Sequence, residues 1–177
     1  MAKKRGLTMI CPICKSEMEC NQESYHYVES GLENVQLDGI DVFRCSCGEE
    51  IINIPAMPEL HSLIALELIK KKSLLGNREI RFLRKNMGLT GIILSKYIGV
   101  DNATLSRWEN NVQTIDKSHD RLLRLIYSNI KGISSDEIKH LIQEDFAYIK
   151  PEKIEMPVFT IPREDWSKGD RNCIILI

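Results

Sequence analysis

Apolar side chains recur every three or four positions through the middle of the chain, a spacing that predicts short amphipathic helices. Asn77 can cap the first helix, and Gly88 ends it. Thr90 caps a second helix, which a turn at Gly99 and Val100 separates from a third. The positions predicted to face the core of this helical segment are Ile80, Leu83, Met87, Leu94, Ile98, Leu105, Trp108, Leu122, Leu125 and Ile126.

The two short helices on either side of Gly99 are typical of helix-turn-helix recognition of DNA, in which the second helix enters the major groove. Arg107 is the sharpest candidate, because a guanidinium can bind guanine through two hydrogen bonds. The residues predicted to face the bases are Asn102, Ala103, Thr104 and Arg107, and those predicted to contact phosphates are Thr90, Lys96 and Asn110.

Apolar and polar residues alternate in VQLDGIDVF, which predicts short antiparallel strands with Asp38 and Gly39 as turn residues. Ile54 and Pro55 then interrupt the strand character, and ELHSLIALELIKKK predicts a helical linker. The lysines that close this helix either touch the DNA backbone or are solvated at the helix C-terminus.

The end of the chain is less regular. SSDEIKHLIQEDFAYI predicts a helix capped by Ser134 or Ser135, and the residues after Lys150 are predicted to be partly extended or disordered. The closing CIILI can dock as an edge strand on its own protein or on a partner.

Composition limits the class of protein. The chain has 177 residues, of which 43% are hydrophobic and 28% charged, as expected for one or two small globular domains. Its apolar runs are short and its start lacks the apolar segment of a secretory signal, so no membrane association is predicted. A cytoplasmic location is the expectation.

Charge is distributed unevenly along the chain, although the formal net charge is only -1. Residues 70–131 contain thirteen Lys or Arg against five Asp or Glu. Residues 1–69 contain five Lys or Arg against eleven Asp or Glu. Residues 132–177 contain six Lys or Arg against nine Asp or Glu. The basic block coincides with the predicted helix pair, which favours binding to the phosphates of double-stranded DNA.

Two close cysteine pairs predict a structural zinc site. Cys11 and Cys14 form the first pair, and Cys45 and Cys47 form a second that is one residue shorter than the usual spacing. Four thiolate ligands leave no open position for a substrate. The alternatives are replacement of one ligand by Cys20 or His26, or four buried cysteines without metal; Cys173 is expected to be a free thiol.

An enzymatic role is not expected. CPIC alone is similar to the active-site pair of thiol oxidoreductases, but a polar, strand-like insert and a second cysteine pair follow it instead of a long helix. No nucleophile set, phosphate-binding glycine loop or carboxylate pair stands out. Redox sensing through the zinc thiolates remains an alternative.

The order RFLRKNMGLT, LSRWEN and DRLLRL resembles the five-helix, repressor-type helix-turn-helix domain of bacterial regulators over residues 78–130. The resemblance implies an ion pair between Arg84 and Glu109. Gly91 and Ile92 replace the usual Gln and Glu, and Asn111 replaces a glycine. Ile92 and Ile93 are expected to add core burial, with a partner or dimer contact as the alternative.

Together with CPIC and CGEE, this order resembles the MqsA or YgiT family of antitoxins over residues 9–130. That resemblance implies an autorepressor that dimerises through its DNA-binding half and whose zinc half holds a small toxin, often an RNase. The acidic N-terminal segment would suit a basic partner. A regulator without a toxin is the alternative.

The predicted fold class is therefore α+β. A small zinc-binding β domain covers residues 1–56, and a helical linker covers residues 57–75. An all-α, five-helix, repressor-type helix-turn-helix domain covers residues 76–131, and a C-terminal helix with a partly extended tail covers residues 132–177.

Overall fold

The chain is an α+β protein whose strands and most of its helical residues separate into two units. The computed structural model describes residues 8–146, 149–150, 158–167 and 173–176. One unit combines residues 1–28 and 33–60 with residues 158–177, and the other combines residues 29–32 with residues 61–157. The end of the chain thus belongs with the N-terminal sheet.

The first unit contains a sheet in which the strands run in the order β1-β2-β3-β4-β6, with β5 paired to β3. All pairings are antiparallel except that of β3 with β5. The strands are β1 (Met9–Ile10), β2 (Glu17–His26), β3 (Val35–Arg44), β4 (Glu50–Pro55), β5 (Phe159–Pro162) and β6 (Cys173–Leu176).

The turn predicted at Asp38 and Gly39 is wrong, because both residues lie within β3. β3 runs through both residues as one ten-residue strand. The register with β2 shifts between Glu23 and Tyr25, so Asp38 and Gly39 lie opposite Ser24. Gly39 has a φ of 73°, which a glycine adopts without strain and which absorbs the extra residue as a bulge.

The closing segment pairs with its own protein. β6 lies antiparallel to β4, with Ile52 opposite Leu176 and Pro55 opposite Cys173. β5 lies parallel to the first half of β3. The side chain of Cys173, which is predicted to be a free thiol, lies outside the described residues.

The second unit contains most of the helical residues. The α1 helix begins in the first unit and continues into the second. The helices are α1 (Met57–Lys70), α2 (Asn77–Asn86), α3 (Gly91–Ile98), α4 (Asn102–Glu109), α5 (Lys117–Ile130) and α6 (Ser135–His140). In the part of the chain that the structure describes, no helix is long and apolar enough to span a bilayer.

The caps explain where these helices begin and end. Thr90 accepts a hydrogen bond from the backbone of Ile93, and Gly99 ends α3 in the left-handed conformation with a φ of 82°. Ser134 caps α6. The predicted cap at Asn77 is wrong by one residue, because Gly76 precedes α2 and its N–H donates to the side chain of Glu79.

The predicted apolar face is confirmed for α2, α3 and α4. On α5 the prediction is partly wrong: Leu123 and Tyr127 are buried, whereas Leu122 is 36% exposed. Leu125 and Ile126 are half-buried. The predicted core positions of α2, α3 and α4 that are buried are Ile80, Leu83, Met87, Leu94, Ile98, Leu105 and Trp108.

Of the three lysines that close α1, Lys70 and Lys72 are exposed, and only Lys71 differs from both sequence interpretations. Lys71 is buried, and its Nζ donates to both carboxylate oxygens of Glu79 at 2.9 Å. A buried ammonium needs such a partner, because an unpaired charge is costly away from water. Lys71 is therefore a structural residue.

Candidate functional site

The four predicted cysteines form one cluster in the first unit. The sulfur atoms of Cys11, Cys14, Cys45 and Cys47 all lie within 4.8 Å of one another. Cys11 Sγ is 3.6 Å from Cys47 Sγ, and Cys14 Sγ is 3.3 Å from Cys45 Sγ. A tetrahedral ion with sulfur ligands at about 2.3 Å places them roughly 3.8 Å apart. This group can hold a metal ion.

Each cysteine pair lies on a tight turn. The N–H of Lys15 donates to the carbonyl of Cys11 at 3.0 Å, and the N–H of Gly48 donates to the carbonyl of Cys45 at 3.0 Å. Both turn residues have positive φ, 64° for Lys15 and 95° for Gly48. The short spacing of the second pair is therefore no obstacle, because the turn still directs both sulfurs to one point.

Local hydrogen bonds and burial support the cluster. The side chain and backbone of Ser16 donate to the sulfur of Cys14 and, with the neighbouring cysteines, lower the pKa of this thiol to about 6. Beneath the turns, Cys11 and Cys45 pack with Met18, Phe43 and Ile51 in a buried apolar group. These contacts hold two of the four potential ligands in the apolar core of the first unit.

The two alternative ligands lie outside the cluster. Cys20 lies on β2, opposite Phe43 of β3. It packs against the apolar group, and burial there raises the pKa of its thiol. His26 Nε2 lies 2.7 Å from the carbonyl oxygen of Glu33. Neither belongs to the group of potential ligands formed by the four cysteines.

A second candidate site is the exposed side of α4. Asn102, Ala103 and Arg107 are exposed on it, while Leu105 and Trp108 on the other side are buried. Thr104 is half-buried, and its Oγ1 donates to Asp101 Oδ2 at 3.0 Å. The helix thus offers a carboxamide, a methyl group and a guanidinium to a ligand.

The ion pair implied by the resemblance is present. Arg84 Nε donates to Glu109 Oε1 at 2.6 Å, and Arg84 Nη2 donates to Glu109 Oε2 at 2.8 Å. Arg84 Nη1 also donates to the carbonyl of Leu89, and the pair with Glu109 raises the pKa of Arg84. The bidentate pair links α2 to the end of α4.

The three predicted phosphate contacts have different local roles. Thr90 is the cap of α3 and Lys96 is exposed on that helix. Asn110 is engaged within the protein: its Nδ2 donates to the carbonyl of Ser106, and its Oδ1 accepts from Arg81 Nη2 at 2.8 Å. A structural role explains Asn110 as well as a phosphate contact does.

Gly91 and Asn111 are the unusual residues around this helix pair, and each lies in a distinct local setting. A Cβ at Gly91 would lie 2.9 Å from Asn102 Oδ1, so a larger residue there requires the exposed side chain of Asn102 to shift. Asn111 has a φ of 61°, a conformation that asparagine tolerates better than most residues. Asn111 can therefore replace a glycine there.

The expected core burial of Ile92 and Ile93 is wrong. Ile92 is 58% exposed and Ile93 is 39% exposed. The inner face of α3 is already filled by Leu94, Ser95 and Ile98. The two isoleucines therefore lie on the outside, beside Tyr97, which is 56% exposed.

Residues 70–131 keep a larger ratio of basic to acidic residues once their buried ion pairs are set aside. Three of their five acidic residues are buried in ion pairs with basic residues of the same segment. Removing these pairs leaves ten basic against two acidic residues, Asp101 and Asp116, both of which are helix caps. The pairs are Lys71–Glu79, Arg84–Glu109 and Arg124–Asp120.

Comparison of the chain with models of protein families, with curated proteins and with solved structures gives no match. The function proposed below rests on the residues of this chain and on the resemblance of its motifs.

Proposed function

We propose that this protein is a sequence-specific, DNA-binding transcriptional repressor that inserts α4 into the major groove. The observation that carries the proposal is the α4 helix, whose exposed face holds Asn102, Ala103 and Arg107 while its other face is buried. The three-residue connection from Gly99 to Asp101 and the preceding helix α3 match the helix-turn-helix pattern. The excess of exposed basic residues supports contact with phosphates.

Within this proposal Arg107 reads a guanine. Arg107→Ala is expected to weaken binding to the operator by about 1–3 kcal/mol and to leave binding to random DNA nearly unchanged, because base contacts specify and phosphate contacts do not. Titration of labelled duplexes from the protein's own promoter, beside random duplexes of equal length, measures both affinities. Lys131→Ala, which removes the basic residue that follows α5, is the control. Equal weakening on both duplexes would make Arg107 a phosphate contact instead.

We propose zinc as the metal held by the four cysteines, in a structural role. Four sulfur ligands without oxygen or nitrogen favour zinc over the hard cations, which prefer oxygen. Cys11, Cys14, Cys45 and Cys47 would fill its coordination sphere and join the two turns. The ion would then contribute to folding of the first unit and take no part in a reaction.

We propose a homodimer as the DNA-binding form. Ile93 and Tyr97 lie four residues apart on α3, so their exposed side chains share one face. A groove of about 490 Å³ lies beside Tyr97 and is lined mostly by apolar side chains of α5, among them Leu125, Ile126 and Ile130. A second copy suits this surface, because dimers of helix-turn-helix proteins bind two half-sites through a symmetric contact.

We propose further that the protein is the antitoxin of a type II toxin–antitoxin system. The support is the order of the motifs, with a cysteine cluster before a helix-turn-helix, and the acidic residues 1–69 that would suit a basic partner. The test is whether the product of the neighbouring gene binds this protein and arrests growth when expressed without it. Binding with rescue of growth supports the antitoxin. Absence of both, with DNA binding intact, leaves a regulator without a toxin.

A further inference from the structure

A small cavity in the second unit lies between the start of α2 and the connection from α4 to α5. Its volume is about 10 Å³. Leu75, Ile80 and Ile115 form a buried apolar part of its lining, and residues of the α4–α5 connection form an exposed polar part. The cavity therefore has both apolar walls and polar groups beside solvent.

Trp108 brings an unpaired hydrogen-bond donor to this cavity. The residue is 2% exposed and lines the cavity, and no acceptor among the described residues is bonded to its buried Nε1. Its ring also packs against the ring of His119, with the centroids 5.4 Å apart, which helps to hold the indole in place. A buried N–H without a partner is unfavourable because it has lost its hydrogen bond to water. Buried donors are therefore nearly always paired, either with the protein or with an ordered water.

We propose that this cavity binds one ordered water molecule, whose oxygen accepts a hydrogen bond from Trp108 Nε1. A single water needs about 10–15 Å³ of such space, so the volume of the cavity suits one molecule. A phosphate or a hydrated metal ion is too large for it. The indole N–H is a donor only, so it selects an acceptor atom and disfavours a cation.

The lining also offers acceptors for the hydrogens of this water. A buried water makes about three hydrogen bonds, so it needs further polar partners besides the indole. Gln113 contributes a carboxamide and Thr114 a hydroxyl to the lining. Both residues belong to the α4–α5 connection, where the N–H of Gln113 donates to the carbonyl of Arg107 at 3.2 Å. The water would thus join the inner face of α4 to the connection that follows it, whether or not α4 binds DNA.

The two tryptophans of the chain provide a matched comparison. Trp166 is 3% exposed, and its Nε1 donates to the carbonyl of Pro55 at 3.0 Å, so its N–H needs no water. NMR spectroscopy of the isotope-labelled, full-length protein measures cross-relaxation between water and each indole N–H, under conditions in which exchange of these protons is slow. Trp108→Phe and Trp166→Phe assign the two signals. We expect the N–H of Trp108 to show the contact of a bound water molecule and the N–H of Trp166 to show none.

Crystal structures of the same proteins supply an independent check. We expect one water within hydrogen-bond distance of Trp108 Nε1, both in the unchanged protein and in Trp166→Phe. Trp108→Phe keeps an aromatic ring but has no donor, so this water should be lost from it. Absence of a bound-water contact at the N–H of Trp108, or a protein acceptor bonded to its Nε1, would overturn the inference. A water that remains in Trp108→Phe would also overturn it, because the indole would then not be the group that binds it.

Discussion

At the scale of single residues, Arg124 organises the second unit. It is fully buried on α5, and its Nε donates to Asp120 Oδ2 at 2.8 Å. Its Nη1 and Nη2 donate to the carbonyls of Ile69, Lys71 and Ser73 at 2.8, 2.6 and 2.7 Å. These carbonyls belong to the last residues of α1 and the segment after it, where helix ends leave acceptors unpaired. The Arg124 side chain thus supplies hydrogen-bond donors to carbonyls at and just after the C-terminal end of α1.

Arg124→Met is therefore expected to destabilise the protein by about 3–5 kcal/mol, because it leaves the buried Asp120 carboxylate without its charge partner and several carbonyls without a donor. Urea unfolding measures the loss. Lys139→Met is the matched control, since the side chains of Lys139 and Asp136 are 71% and 93% exposed and such a pair contributes less than about 0.5 kcal/mol. Equal midpoints for the two variants would contradict this account.

At the scale of elements, the two cysteine turns depend on a common ion in our proposal. Cys11→Ser is expected to lose bound zinc and the cooperative unfolding of the first unit, because the unfolded chain has no preformed site for the metal. Zinc content and thermal unfolding followed by circular dichroism check this. Cys20→Ser, which alters a cysteine outside the cluster, should retain zinc. A metal-free Cys11→Ser protein with unchanged unfolding and full DNA affinity would disprove a structural zinc.

The strand β6 covers the outer edge of β4, which would otherwise present unpaired backbone groups. Removing residues 173–177 is expected to lower the thermal midpoint of the first unit and to cause concentration-dependent association through the bared edge. Light scattering across a concentration series measures the association. The control is the full-length chain that carries Lys139→Met. A truncated chain that keeps its midpoint and does not associate would show that β6 adds nothing to the sheet.

At the scale of the whole molecule, the exposed apolar surface of α3 is the feature that calls for a partner. Tyr97→Glu is expected to shift the proposed dimer to the mass of one chain, because it places a charge in an apolar contact. Sedimentation equilibrium measures the mass. Val112→Glu changes another exposed apolar residue, 73% exposed and outside the groove, and should leave the mass unchanged. A dimer that survives Tyr97→Glu would assign the contact to another surface.

The sequence by itself determined the features that depend on near neighbours. The caps at Thr90 and Ser134 and the stop at Gly99 act over three or four residues, so their residue types predict them. The buried faces of α2, α3 and α4 follow from helical periodicity. The grouping of Cys11 and Cys14 with Cys45 and Cys47 was predictable because each pair occupies one tight turn.

Tertiary structure decided what depends on distant parts of the chain. β6 pairs with β4 across more than a hundred residues, and Arg124 is buried because the end of α1 supplies its acceptors. β3 stays continuous through Gly39 because β2 pairs on both sides of a bulge in β3, where Asp38 and Gly39 lie opposite Ser24. Ile92 is exposed because other residues of α3 already fill the core. Local periodicity carries no information about such pairings, since the groups that satisfy each residue are not its neighbours in sequence.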